Sequence, residues 1–156
     1  MNSYSQLIED YLAGPQELRR AVEGMTTSQL DAAPVQGAWS SRQVVCHIAD
    51  FETVYADRMK RVIAEDRPPL RGGDPDLFAT RLAYHDRDVE VELTIVDFTR
   101  QQMAEILRKS TDEDFQRVGL HSDDGPLTLK VLLERIVSHI PHHVRFIDEK
   151  RKLLNG

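Results

Sequence analysis

The chain has 156 residues, 40% of them hydrophobic and 29% charged, a composition that predicts one globular domain over residues 1–156 and excludes a disordered chain. Its 20 Lys and Arg against 26 Asp and Glu leave a net charge of -6, which argues against nucleic acid as a partner, and its one cysteine, Cys46, excludes a disulfide framework or a cysteine-based zinc cluster. No apolar run approaches the roughly 20 residues of a membrane span, and Met1-Asn2-Ser3-Tyr4 lacks the basic-then-apolar start of a signal peptide, so a cytoplasmic protein is expected.

Four long segments carry helical periodicity. The first runs from about Ser3 to Glu23, with Tyr4, Ile8, Tyr11, Leu18 and Val22 on one stripe. Gly14-Pro15 falls inside it and predicts a kink or a split, because proline removes a backbone donor. The second opens on a capping box, Ser40 with Gln43, with Trp39 and Val44 placed to staple the entry. Its stripe continues through Ile48, Phe51, Tyr55, Met59 and Val62, and Pro68-Pro69 with Gly72-Gly73 ends it. The segment from Arg67 to Asp76 reads as a crossover loop.

The third segment is ambiguous at its start. Val89, Val91, Leu93 and Ile95 alternate as in a strand, yet Val89, Leu93, Val96, Met103 and Leu107 fit helical spacing. A lone strand would lack a partner elsewhere, so a helix from Asp76 or Asp86 to Lys109 is expected. The fourth starts at a Thr128 cap after Gly125-Pro126, and its stripe of Leu129, Leu133, Ile136, Ile140 and Ile147 stays in phase across Pro141. Four amphipathic helices of this length bury their stripes most economically as an all-α four-helix bundle, with a long crossover between the second and third.

The histidines sort by angle. At about 100° per residue, His143 falls about 40° and His139 about 80° from the centre of the fourth stripe, while His142 lies about 140° away. His47 lies about 75° from the centre of the second stripe, again at an interior edge, and Cys46 almost opposite it. His139 and His143, at i and i+4, can hold two corners of a metal site that His47 closes from a facing helix. Zinc, nickel, copper and iron all accept such nitrogen ligands. The alternative for each residue is a hydrogen-bonded core histidine. Ile140 stands where H-E-x-x-H proteases carry glutamate, which argues against that class.

The stretch from Trp39 to Asp50 resembles the second-helix signature of the DinB/YfiT-like superfamily, and Ser138-His139-Ile140-Pro141-His142-His143 resembles its C-terminal H-x-x-x-H helix. His121 to Thr128 is similar to the loop before that helix in the YfiT-like branch. The resemblance implies a four-helix bundle, often a homodimer, with zinc or nickel on His47, His139 and His143. It implies a metal-dependent hydrolase of a small molecule. Related branches imply a thiol-dependent transferase or isomerase using bacillithiol or mycothiol, and a non-catalytic, metal-stabilised dimer is the third possibility. Pro141 between two ligands departs from the pattern and bears on the geometry of the site.

The three ligands leave the reaction open, since a metal can activate either water or a thiol. Asp50, Glu52 and His121 are candidates for a general base by their proximity in sequence. Arg100 occupies an apolar slot between Val96 and Met103. It should either pair with a buried carboxylate or bind an anionic group of the substrate.

Overall fold

The computed structural model describes residues 2–156. Its four long helices are α1 (Ser5–Val22), α3 (Ser41–Ala64), α5 (Val89–Lys109) and α6 (Leu129–Asn155), with short helices α2 (Thr27–Asp31) and α4 (Pro75–Arg81) in the connections. Each of α1 and α3 packs against both α5 and α6. Helices α1 and α3 therefore face each other only across the centre of the bundle, as do α5 and α6.

The helix starts follow local chemistry. Ser40 accepts from the Gln43 amide while the Gln43 side chain reaches back to Ser40, which completes the capping box of α3. Asp88 caps α5 and Thr128 caps α6 through their side-chain oxygens. Helix α5 thus starts next to the Asp86 end of the expected range. Pro75–Arg81 is a separate helix capped by Asp74, and Ala83, at φ 52°, turns the chain between the two.

Two expectations are corrected. Strand partners do exist: β1 (Pro69–Leu70), β2 (Val118–His121) and β3 (Gly125–Thr128) form a small sheet in the order β1-β2-β3, with β1 parallel and β3 antiparallel to β2. Part of the expected crossover loop is therefore strand. Pro126 is tolerated because β3 is an edge. This sheet closes one end of the bundle, where Leu70 and Leu127 join a core cluster with Met59, Val62 and Phe115.

The second correction concerns Gly14-Pro15. Helix α1 runs unbroken through both residues. Proline at 15 cannot donate to the carbonyl of residue 11. That freed Tyr11 oxygen accepts a 2.7 Å hydrogen bond from Arg100 Nη1 instead. A Cβ on residue 14 would collide with the same guanidinium nitrogen. The pair is therefore the socket that admits Arg100 rather than a break in the helix. Helix α6 also stays continuous through Pro141.

Arg100 is fully buried. Its Nη2 donates to Glu52 Oε2 at 2.8 Å and to the Ile136 carbonyl at 2.9 Å. Glu52 also accepts from the Tyr11 hydroxyl at 2.7 Å. Burial pushes the Glu52 carboxyl upward, and the guanidinium opposes that shift. Gly14→Ala would normally stabilise a helix interior. Here it should destabilise by about 2–4 kcal/mol by displacing Arg100, lowering Tm by roughly 5–15 °C in a thermal melt. An unchanged or raised Tm would refute the socket.

Candidate metal centre

His47 projects from the second turn of α3, and His139 and His143 project from successive turns of α6. The bundle brings them together. His47 Nε2 lies 3.0 Å from His139 Nε2 and 3.1 Å from His143 Nε2. The ring centroids are separated by 4.9, 4.6 and 4.6 Å, so the imidazoles form a nearly equilateral group. His142 is exposed and rests beside Arg145, as its angle on the helix predicts.

Burial keeps the group neutral. It pulls the His47 pKa down to about 4, partly opposed by Asp50, and that of His143 down to about 3, aided by His47. His139 is lowered as well, by burial first and then by its two histidine neighbours. Each neutral ring therefore has one nitrogen lone pair to offer. The His47 Nε2 carries either one proton or one lone pair, so it cannot satisfy both of its nitrogen neighbours at once. The Nδ1 atoms of His47 and His139 are buried with no hydrogen-bond partner.

A divalent ion fits this donor set. Nitrogens about 2.0–2.1 Å from a metal lie about 2.9 Å apart at right angles and about 3.4 Å apart in a tetrahedron. The observed 3.0 and 3.1 Å separations fall between those limits. Three lone pairs that crowd one another without a cation would converge on it.

Aromatic rings wall the group. Trp39 lies 5.1 Å and Phe51 4.7 Å from the His47 ring, centroid to centroid. Phe51 follows His47 by four residues, a spacing that marks it for the same face. On the open side, Tyr55, Glu134, Arg135, Ser138, His139 and His142 line a depression of about 460 Å³. Tyr55, Glu134 and Arg135 are site-lining residues that sequence reasoning did not single out.

The other sequence candidates are engaged elsewhere. Asp50 makes a two-pronged ion pair with Arg87, at 2.9 and 3.0 Å, and Arg87 also holds Glu92. Arg100 and Glu52 hold each other in the bundle centre. His121 ends β2, and its Nδ1 accepts from the amides of Asp123 and Asp124, which fixes it as part of the hairpin. Among the described residues, His47, His139 and His143 form the group of potential ligands, and none of these four belongs to it.

Cys46 is fully buried on the back of α3, against Tyr84 and Ala79. Its position opposite the stripe does keep it from the imidazoles, but the crossover covers that face too.

Residues 11–147 match the sequence profile of the DinB superfamily. The chain belongs to the DinB superfamily. It is 32% identical over 149 residues to "Putative metal-dependent hydrolase YfiT" of Bacillus subtilis (strain 168), covering 95% of this chain and 82% of the relative. A solved structure of YfiT from Bacillus subtilis, described as a probable metal-dependent hydrolase with an unusual four-helix bundle topology, superposes with a TM-score of 0.90. That match has 30% identity and covers 96% of this chain and 86% of the other. A mycothiol-dependent maleylpyruvate isomerase shares the fold at a TM-score of 0.71 and 8% identity, over 89% of this chain and 58% of that one. The DinB bundle here thus carries its three histidines within a fold that YfiT shares along nearly its whole length. Among the described residues, no helix is long and apolar enough to cross a membrane.

Burial raises the Cys46 thiol pKa to about 12. In the native protein Cys46 should therefore react with an aromatic disulfide reagent at pH 8 roughly a thousandfold more slowly than free cysteine, and in denaturant at the ordinary rate. Fast labelling of the folded chain would contradict this placement.

Proposed function

We propose that this DinB protein is a divalent-metal-dependent enzyme, a hydrolase of small molecules, with the ion held by His47, His139 and His143. The observation that carries the reading is the convergence of the neutral His139 and His143 on His47, Nε2 to Nε2, at 3.0 and 3.1 Å. Zinc or nickel suits the three imidazoles. When bound, such an ion acts as a Lewis acid that lowers the pKa of water or of a thiol. The protein's own part is to keep the imidazoles unprotonated by burial and to wall them with Trp39 and Phe51. Tyr55 and Ser138 present hydroxyl groups to a substrate entering the depression, and Arg135, paired with Asp124, lines it beside them.

A second reading, transfer to or from a low-molecular-weight thiol, has one specific support. Water at the ion gains from a general base, and the nearby carboxylates are occupied: Asp50 by Arg87, Glu52 by Arg100, and Glu134 by Lys130. A thiol deprotonated at a metal needs no such base. That thiol would be a second substrate, because Cys46 is sealed in the back of α3. A homodimer in solution belongs to the same proposal and is read directly by sizing chromatography.

The untagged protein should carry about one zinc or nickel per chain by elemental analysis, and His47→Ala or His143→Ala should reduce this below about a tenth. Removing the metal should lower Tm, since an ion at about a thousand times its Kd adds about 4 kcal/mol to stability. No metal uptake by the folded wild type would overturn both readings. Turnover of a simple ester without thiol favours the hydrolase; conjugation of an electrophile only with thiol favours the transferase.

A further inference from the structure

Among the described residues, two arginines are buried beneath the surface, and only one of them has an acidic partner. Arg100 has Glu52 at 2.8 Å. Arg58, on α3, is 5% exposed, yet among the described residues no carboxylate lies within ion-pair distance of it. Its Nη2 donates to the Arg71 carbonyl at 2.6 Å, and its guanidinium stacks on Tyr55 at 4.9 Å. Its Nε is buried without a partner. Asp124 is an acid that acts on it from farther away, but Asp124 is held by Arg135 at 2.6 Å. Leaving a guanidinium buried and unpaired is costly, so a position like this calls for an anion.

Arg58 lines a cavity of about 930 Å³ between α3 and the β1–α4 segment. Val54, Leu70, Leu77 and Phe78 give it apolar walls, and Arg71 stands exposed at its edge. The two acids on its lining both have hydrogen-bond partners. Asp57 pairs with Arg61 at 2.8 Å, and Asp74 caps α4. The lining thus carries three arginines, Arg58, Arg61 and Arg71, against these two acids, a net positive charge. The cavity also adjoins the imidazoles: Phe78 packs on Phe51 at 5.3 Å, and Phe51 packs on His47 at 4.7 Å. Tyr55, which stacks on Arg58, lines the depression over His139.

We propose that this cavity binds the anionic end of a small organic molecule, with the Arg58 guanidinium as its counter-ion and the apolar walls holding its body. Carboxylate and phosphate share the chemistry that a guanidinium recognises. Along α3, the eleven residues from His47 to Arg58 span about 16 Å. A molecule that reached both sites would be elongated, with its reacting group at the imidazoles and its charge at Arg58. Treating that molecule as the substrate rests on the proposed metal centre; the binding itself does not.

Amide chemical shifts of the full chain, recorded as purified and after metal removal, test this with benzoate, benzyl alcohol and inorganic phosphate. Benzoate should shift Leu70, Gly72 and Gly73 saturably in both preparations, and benzyl alcohol should not. Phosphate, lacking the apolar body, should bind at least about tenfold more weakly. Arg58→Met should weaken benzoate at least about tenfold, with Arg58→Lys in between, because only arginine supplies the fork. Arg108→Gln should leave binding within about twofold, since Arg108 is an exposed charge, already paired with Glu9, outside the cavity. Equal response to benzoate and benzyl alcohol in the wild type would overturn the proposal whether or not Arg58→Met folds. Benzoate binding retained in a folded Arg58→Met, or phosphate binding as tight as benzoate, would also overturn it. Benzoate shifts that vanish on metal removal would place the anion at the imidazoles and overturn the cavity assignment. Loss of the metal reading alone would leave the cavity result intact.

Discussion

Arg100 is the interaction on which the rest of the bundle depends. It sits on α5 and reaches the Tyr11 carbonyl on α1, the Glu52 carboxylate on α3 and the Ile136 carbonyl on α6. Tyr11 in turn joins α1 to α3 through Glu52. Both diagonals of the bundle are thus crossed by hydrogen bonds at one level. A buried ion pair adds little net stability over apolar packing, but breaking one partner is expensive. Its larger effect is on register. Apolar stripes alone tolerate sliding along the helix axes, whereas a guanidinium with three fixed acceptors does not.

That register sets the candidate metal centre. Glu52 follows His47 by five residues on α3, and Ile136 precedes His139 by three on α6. The tie through Arg100 therefore acts within about a turn and a half of the histidines. A slip of one helical turn between α3 and α6 would move His47 about 5 Å from its partners, well outside the reach of one ion. The polar centre thus fixes the axial placement that three separate imidazoles need.

Much of this was legible from spacing. His139 and His143 share a face by the 3.6-residue period, and His47 falls on the matching edge of α3. Arg100 stood out as a charge in an apolar slot. The rest was hidden because its meaning depends on distant partners. Gly14-Pro15 reads as a helix break until Arg100, 89 residues from Tyr11, takes the freed carbonyl. The small sheet uses strands of two to four residues that contain Gly119 and Pro126, too short and too irregular for alternation to show. Cys46 lies opposite the α3 stripe, and nothing local says that the crossover will cover that face. Arg58 and Arg61 lie one turn apart in the same helix; only the folded chain buries the first and leaves the second exposed.

The overall charge of the chain and the count of charges lining the proposed cavity have opposite signs. The net charge of -6 argues against a polyanionic partner. Around the imidazoles and the adjoining cavity, however, several acids are paired within the protein: Asp50 with Arg87, Asp57 with Arg61, Asp124 with Arg135. Arg58 and Arg71 have no ion-pair partner among the described residues, against one lining acid, Asp74, that makes only cap hydrogen bonds. Neutral imidazole ligands would cancel none of a cation's charge, whereas a carboxylate ligand would remove part of it. Positive groups gathered in a recess with low-dielectric walls focus their field outward and draw in small anions. Such a field acts over roughly one Debye length, about 8 Å at physiological salt, so it can select a small charged molecule at the mouth while the acidic surface still repels long polyanions.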